Sequence, residues 1–228
     1  MNSRQIHTIA ILFLLCLFQF YSLLPAFYGS ELVGDDHSIH MAEISQLVQS
    51  LQVGDWNFWN AGANAGYPSA YYYQALPQMV TAAAINLLSP TFSFLEIYKF
   101  SLLIFVILFP LSVYFSIRYY AQNRNAALFA AVIVPIVHSN INWGIGYDGI
   151  FSYGLFTQAW ACFFIPLSML ANSRYISSGM SLFSSVLWTC ILAFCNPLFA
   201  LFSSVFAAFW IDFTNKKLFS SSVRRLLI

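Results

Sequence analysis

Long apolar runs constrain this chain more than any other feature. Roughly 20 consecutive apolar residues are needed for one helix to cross a bilayer. Six stretches approach that length: 6–28, 98–120, 126–142, 153–171, 180–195 and 198–211. Charged residues make up only 7% of the 228 positions, against about a quarter in soluble domains. So few charges could not cover a water-soluble globule, and lipid is the expected solvent. The expected fold is all-α: one polytopic transmembrane bundle of about six spans over residues 1–228. Run 6–28 follows Arg4 but exceeds a usual signal core, so it reads as an uncleaved first helix.

The fifth and sixth runs form one apolar stretch broken at Asn196-Pro197. Proline disfavours helix at the residue before it, so a hairpin of two short helices is expected, with Asn196 at its tip. A seventh run, 71–88, either spans or lies in the interface. Charge placement decides between these, because Lys and Arg gather in cytoplasmic loops. If 71–88 does not cross, Arg4, Arg118, Arg124, Arg174, Lys216, Lys217, Arg224 and Arg225 all fall inside, and Lys99 is the one outer cation. If it crosses, with the stretch 180–211 read as one span, Arg118, Arg124 and Arg174 move outside. The first arrangement places the N-terminus in the cytoplasm and two loops, about 29–97 and 138–152, on the opposite face.

Net charge is +1, which gives no footprint for nucleic acid. The cysteines, Cys16, Cys162, Cys190 and Cys195, all sit in apolar runs and read as buried thiols rather than disulfide or metal ligands.

The chemistry gathers in the first outer loop. Gly34-Asp35-Asp36-His37 precedes Ile44, Leu47, Val48 and Leu51 at helical spacing. Asp35 or Asp36 is expected to cap that helix. Asp36, His40 and Glu43 then share one side, as a solvated polar face or as a carboxylate and metal cluster. Next come Gly54-Asp55-Trp56, Trp59, Gly66-Tyr67-Pro68 and Tyr71-Tyr72-Tyr73. Such aromatics serve either as an interfacial belt or as a sugar-stacking platform. Glu96 and Lys99 are spaced for an i, i+3 pair. The second loop carries Asn140, Asn142, Trp143, Tyr147 and Asp148.

An acidic pair soon after the first helix, then Gly-Asp-Trp and Gly-Tyr-Pro with following tyrosines, resembles the first outer loop of GT-C glycosyltransferases. More closely, the chain resembles bacterial membrane proteins labelled pyruvoyl-tetrahydropterin-synthase-related, although it has no histidine triad for zinc. The resemblance runs from Ile6 to about Ile211 and implies a bacterial inner-membrane location. It implies transfer of a sugar from a polyprenyl-phosphate donor on the non-cytoplasmic face. It makes Asp35 or Asp36 the catalytic base, with Asp148 as the second acid. Mg or Mn would be the metal, held by Asp36, His40 and Glu43 if any. His37, His40, Trp56, Trp59, Tyr67, Tyr71 and Tyr72 would contact substrate. Members of such families are generally longer, so a continuation past Ile228 is expected. The absence of Lys or Arg between Gly29 and Lys99, where a pyrophosphate-binding cation is expected, instead favours a non-catalytic scaffold or assembly subunit with a protein partner.

Overall fold

The computed structural model describes residues 3–29, 32, 34–62, 66–69, 74–136 and 148–227, without the side chains of Ala26, Asp35, Asp148 and Ser152. The chain is all-α apart from one two-stranded ribbon among the described residues. The helices are α1 (Ser3–Tyr28), α2 (Asp35–Val53), α3 (Ala75–Leu88), α4 (Phe94–Ala121), α5 (Arg124–Ile133), α6 (Phe156–Ser178), α7 (Leu182–Cys195), α8 (Pro197–Ala207) and α9 (Lys216–Leu226). Strands β1 (Trp59–Asn60) and β2 (Tyr67–Pro68) pair antiparallel between α2 and α3. A π-helical turn, Asp148–Ser152, precedes α6.

Helices α4 and α6 form the central pair. They run parallel, because Tyr98 stacks on Phe156 at one end, Phe105 meets Trp160 further along, and Arg174 lies 4.1 Å over the Tyr119 ring at the other. Helices α1 and α5 flank α4, α7 and α8 flank α6, and the α2–α3 unit covers the end where α4 and α6 begin. One buried cluster joins Ile44 and Leu47 of α2 to Ala82, Ile85, Tyr98, Leu102 and Phe156.

Among the described residues, length and composition qualify two helices to cross a membrane: α1 over Ser3–Pro25, and α4, Phe94–Ala121. Six crossings are therefore not established by helix length. Helices α7 and α8 have 14 and 11 residues, about 21 and 17 Å at 1.5 Å per residue, each short of a bilayer's roughly 30 Å core. The expected hairpin is present, and Asn196 is its hinge. Its side-chain oxygen accepts from the N–H groups of Leu198 and Phe199, capping α8, with Pro197 at the first helical position. Among its described residues the run 126–142 gives α5, which ends at Ile133 two residues before Pro135. Residues 137–142 lie outside the described set. Run 71–88 gives the 14-residue α3.

Lys99 is buried, and its ammonium donates to the backbone oxygens of Phe27 (3.1 Å) and Gly29 at the C-terminus of α1. Those carbonyls lack helical partners, and the negative end of the helix dipole favours a cation there. The expected Glu96–Lys99 pair does not form. Glu96 instead closes a capping box with Ser93 at the start of α4.

Candidate functional site at the start of α2

Helix α2 begins at Asp35, with Gly34 in the N-cap position and no side-chain cap. The expectation that Asp35 or Asp36 caps this helix is thus not met. The second loop supplies the acceptor instead: the Asp36 N–H donates to the Tyr153 carbonyl at 3.4 Å. Gly154 makes that approach possible. Its φ is +84°, and a Cβ there would lie 2.6 Å from the His37 nitrogen, a contact no side chain tolerates.

His37 is fully buried, with both ring nitrogens engaged. Nε2 lies 3.2 Å from the Phe151 carbonyl, and Nδ1 lies 2.9 Å from the Tyr98 hydroxyl. A carbonyl only accepts, so Nε2 carries the proton and Nδ1 accepts from Tyr98. Burial holds the imidazole below its ordinary pKa, against the raising influence of the Phe151 and Ile150 backbone and of Asp36. His37, expected to contact substrate, is an internal strut joining α2, α4 and the π-helical turn.

One turn on, the Gln78 side-chain amide of α3 bridges two partners. It donates to His40 Nδ1 at 3.1 Å and to a Glu43 carboxylate oxygen. The other Glu43 oxygen accepts from the Tyr67 hydroxyl at 3.0 Å. The β ribbon makes this reach possible, because its register sets Tyr67 opposite Asn60 beside α2. Burial lowers the His40 pKa to about 4, with His37 adding to the fall, and raises that of Glu43 against the two hydrogen bonds that favour its anion. Although His40 Nδ1 lies 4.0 Å from Glu43, the imidazole is neutral, so the contact is not an ion pair. Tyr67 is raised by burial and then by Glu43.

Asp36 differs from these neighbours in being exposed. Trp56 and Trp59 are also exposed, and Trp59 lies against Gly66, whose φ is +95° and which has no room for a Cβ. Backbone alone is described for Asp35 and Asp148. Asp148 opens the π-helical turn that His37 contacts, so the segment after α1 and the segment before α6 meet. Tyr71 and Tyr72, like Asn140, Asn142, Trp143 and Tyr147, lie outside the described residues.

The metal expectation does not fit the donors. Among the described residues no three His, Cys, Asp or Glu side chains gather to hold an ion. Asp36, His40 and Glu43 are therefore not gathered as a ligand set, and Glu43 and His40 Nδ1 are hydrogen-bonded to Tyr67 and Gln78 instead. Sequence reasoning missed Gln78, Tyr98, Phe156 and the Gln74–Thr157 hydrogen bond of 2.7 Å. The signal for the glutamines was present: both are amides in an otherwise apolar run.

These features define an all-α chain in which two loops close over the start of the α4–α6 pair around a hydrogen-bonded His–Gln–Glu–Tyr cluster and an exposed acid. No family model, curated protein or solved structure matches the chain.

Proposed function

We propose that the chain is a membrane-embedded, GT-C-like glycosyltransferase that takes a sugar from a polyprenyl-phosphate donor at the non-cytoplasmic face. The convergence of both outer loops on the N-terminus of α2, with Asp36 left open to solvent, carries this reading. Phe13, Phe129, Phe183, Phe194 and Leu201 face outward on four helices, α1, α5, α7 and α8, where lipid would cover them. The topology is the one with Arg4, Arg118, Arg124, Arg174 and Arg225 at the cytoplasmic end.

In this reading Asp36 takes the proton from an acceptor hydroxyl as that oxygen attacks the anomeric carbon. The bond from that carbon to the donor phosphate breaks, and its electron pair leaves with the polyprenyl phosphate, which stays in lipid. A positioned base of this kind contributes about a hundred- to ten-thousandfold in rate. Asp35 is the alternative base and Asp148 the second acid. Trp56 and Trp59 offer faces for the sugar. No step is routed through Mg or Mn.

The test is sugar transfer by the purified chain from polyprenyl-phosphate hexoses to a hydroxyl acceptor. Asp36→Asn, or Asp35→Asn with Asp36→Asn, is expected to abolish transfer while leaving expression and melting unchanged. Full transfer by the double variant removes the acid from the mechanism.

One observation favours a second reading, a non-catalytic scaffold. Both ring nitrogens of His37, Nδ1 of His40 and both carboxylate oxygens of Glu43 are spent on internal partners, as in struts. Co-purification of one stoichiometric partner protein, without turnover of any lipid-linked sugar, supports that reading.

A further inference from the structure

At the opposite end of the molecule from α2, the first turn of α1, the last turn of α4 and the first turn of α5 enclose an open cleft of about 1210 Å³. Arg4, Arg118 and Arg124 line it, one from each helix. No carboxylate lines it, and among the described residues none of the three pairs with Asp or Glu. Three cations brought together without a counter-charge repel one another, so the cleft is complementary to an anion.

The arginine on α5 is held in place. Arg124 Nε donates to the Thr8 hydroxyl at 2.5 Å, and that hydroxyl donates to the Arg4 carbonyl at 2.9 Å. Thr8 thereby fixes the guanidinium stem while its two terminal nitrogens keep their donors, a fork suited to phosphate oxygens. Gln122, Asn123 and Asn125 add polar groups at the rim. A topological signal needs cations on one side of the membrane only. It does not need three of them from three helices around one opening.

Deeper in, the wall turns apolar. Ile9 and Phe115 line the cleft and are 54% and 58% exposed, so hydrocarbon can continue outward along them. A free inorganic anion has no use for that flank, whereas a headgroup attached to acyl chains does. We infer that this cleft is a binding site for an anionic phospholipid, its phosphate held by Arg4, Arg118 and Arg124 and its chains laid over Ile9 and Phe115. The inference rests on membrane embedding and not on sugar transfer. Retention of the chain in carbonate-washed membranes checks that embedding separately.

The test is lipid titration of the detergent-purified full chain, read by native mass spectrometry. Phosphatidylglycerol is expected to bind at least tenfold more tightly than phosphatidylcholine. Each arginine removed, in R4Q, R118Q and R124Q, should weaken phosphatidylglycerol by about fivefold, while Lys216→Gln with Lys217→Gln leaves it unchanged. Thr8→Val, which frees Arg124 without removing charge, should give a smaller loss. Equal binding of the two lipids, or unchanged phosphatidylglycerol affinity in the triple variant, overturns the proposal. So does complete displacement of the lipid by millimolar inorganic phosphate, which would reassign the site to a free anion. Hydrogen exchange of the wild-type chain covers the case in which the triple variant does not fold. Phosphatidylglycerol must slow exchange at Gln122–Asn125, and unaltered exchange there overturns the assignment.

Discussion

The Tyr98 hydroxyl donates to His37 Nδ1 across 2.9 Å, with both residues completely buried. This bond ties the first turn of α4 to the first turn of α2. The Tyr98 ring also stacks on Phe156, 5.0 Å between centroids and 11° from parallel. Tyr98→Phe keeps the stack and deletes only the donor, leaving a buried imidazole nitrogen without a partner. The expected cost is about 1–3 kcal/mol, or several degrees in a thermal melt at about 2–4 °C per kcal/mol for a chain this size. A variant melting within a degree of wild type would show that the hydroxyl contributes nothing to the strut.

Gly154 sets how closely the second loop approaches α2. Gly154→Ala places a methyl group 2.6 Å from the His37 nitrogen at a φ of +84°, so the loop must move and the Asp36–Tyr153 hydrogen bond opens. A loss of more than about 1–3 kcal/mol is expected from the strained backbone alone, together with loss of whatever activity the two loops support. Gly62→Ala is the control, since its nearest neighbour lies 3.5 Å from the added carbon and its stability should be unchanged.

The buried cluster also makes stability depend on pH. Folded His40 titrates near 4 against an ordinary 6.5. Between those values the unfolded chain binds a proton that the folded chain refuses, so stability falls as the pH drops from 6.5 towards 4. At full burial the loss is about 3 kcal/mol, and His37, also lowered, adds with the same sign. Glu43 acts oppositely. Its raised pKa means that its contribution is complete below 4.5 and is lost as pH rises through the folded value. Thermal melts from pH 7 to pH 4 should therefore show a net acid-side decline, shallower in His40→Gln and steeper in Glu43→Gln. An His40→Gln variant with the wild-type slope would remove His40 from the account.

Much of the fold could be read from the sequence because the signals are local. The apolar runs locate α1, α4 and α7 to within four residues, and α6 at its start, though that helix continues seven residues past the run to Ser178. The Asn196-Pro197 break is where the hairpin turns, since a cap and a helix-starting proline act on their own neighbours. What could not be read was the choice of partner. Asp36 satisfies its backbone through Tyr153, more than a hundred residues away, and Lys99 caps α1 rather than pairing with Glu96 three residues off. Spacing identified the polar face of α2 but not its divisions. Asp36 faces solvent while His40 and Glu43 turn into Gln78 and Tyr67, because α3 and the β ribbon cover only part of that face.

A second buried polar network lies between α6, α7 and α8, and it predicts how the hairpin is held. Asn172 Nδ2 lies within hydrogen-bond reach of Thr189 Oγ1 (3.2 Å) and, at 3.4 Å each, of the Ser168 and Ser203 hydroxyls. Its Oδ1 accepts from Ser185 and, at 3.3 Å, from Thr189. In an apolar surround these groups have only one another. The small serine side chains also let α6 and α8 approach closely, with Ser168 and Ser203 2.9 Å apart. Hydrogen bonds between membrane helices contribute about 0.6 kcal/mol each on average and up to about 2. Asn172→Leu removes the shared partner and orphans several hydroxyls, so it should lower stability by about 1–3 kcal/mol. Ser203→Ala should cost about 0.6 kcal/mol. In a double-mutant cycle the two losses should fail to add, because they dismantle one network. Strict additivity would mean that α8 is held by apolar contacts alone.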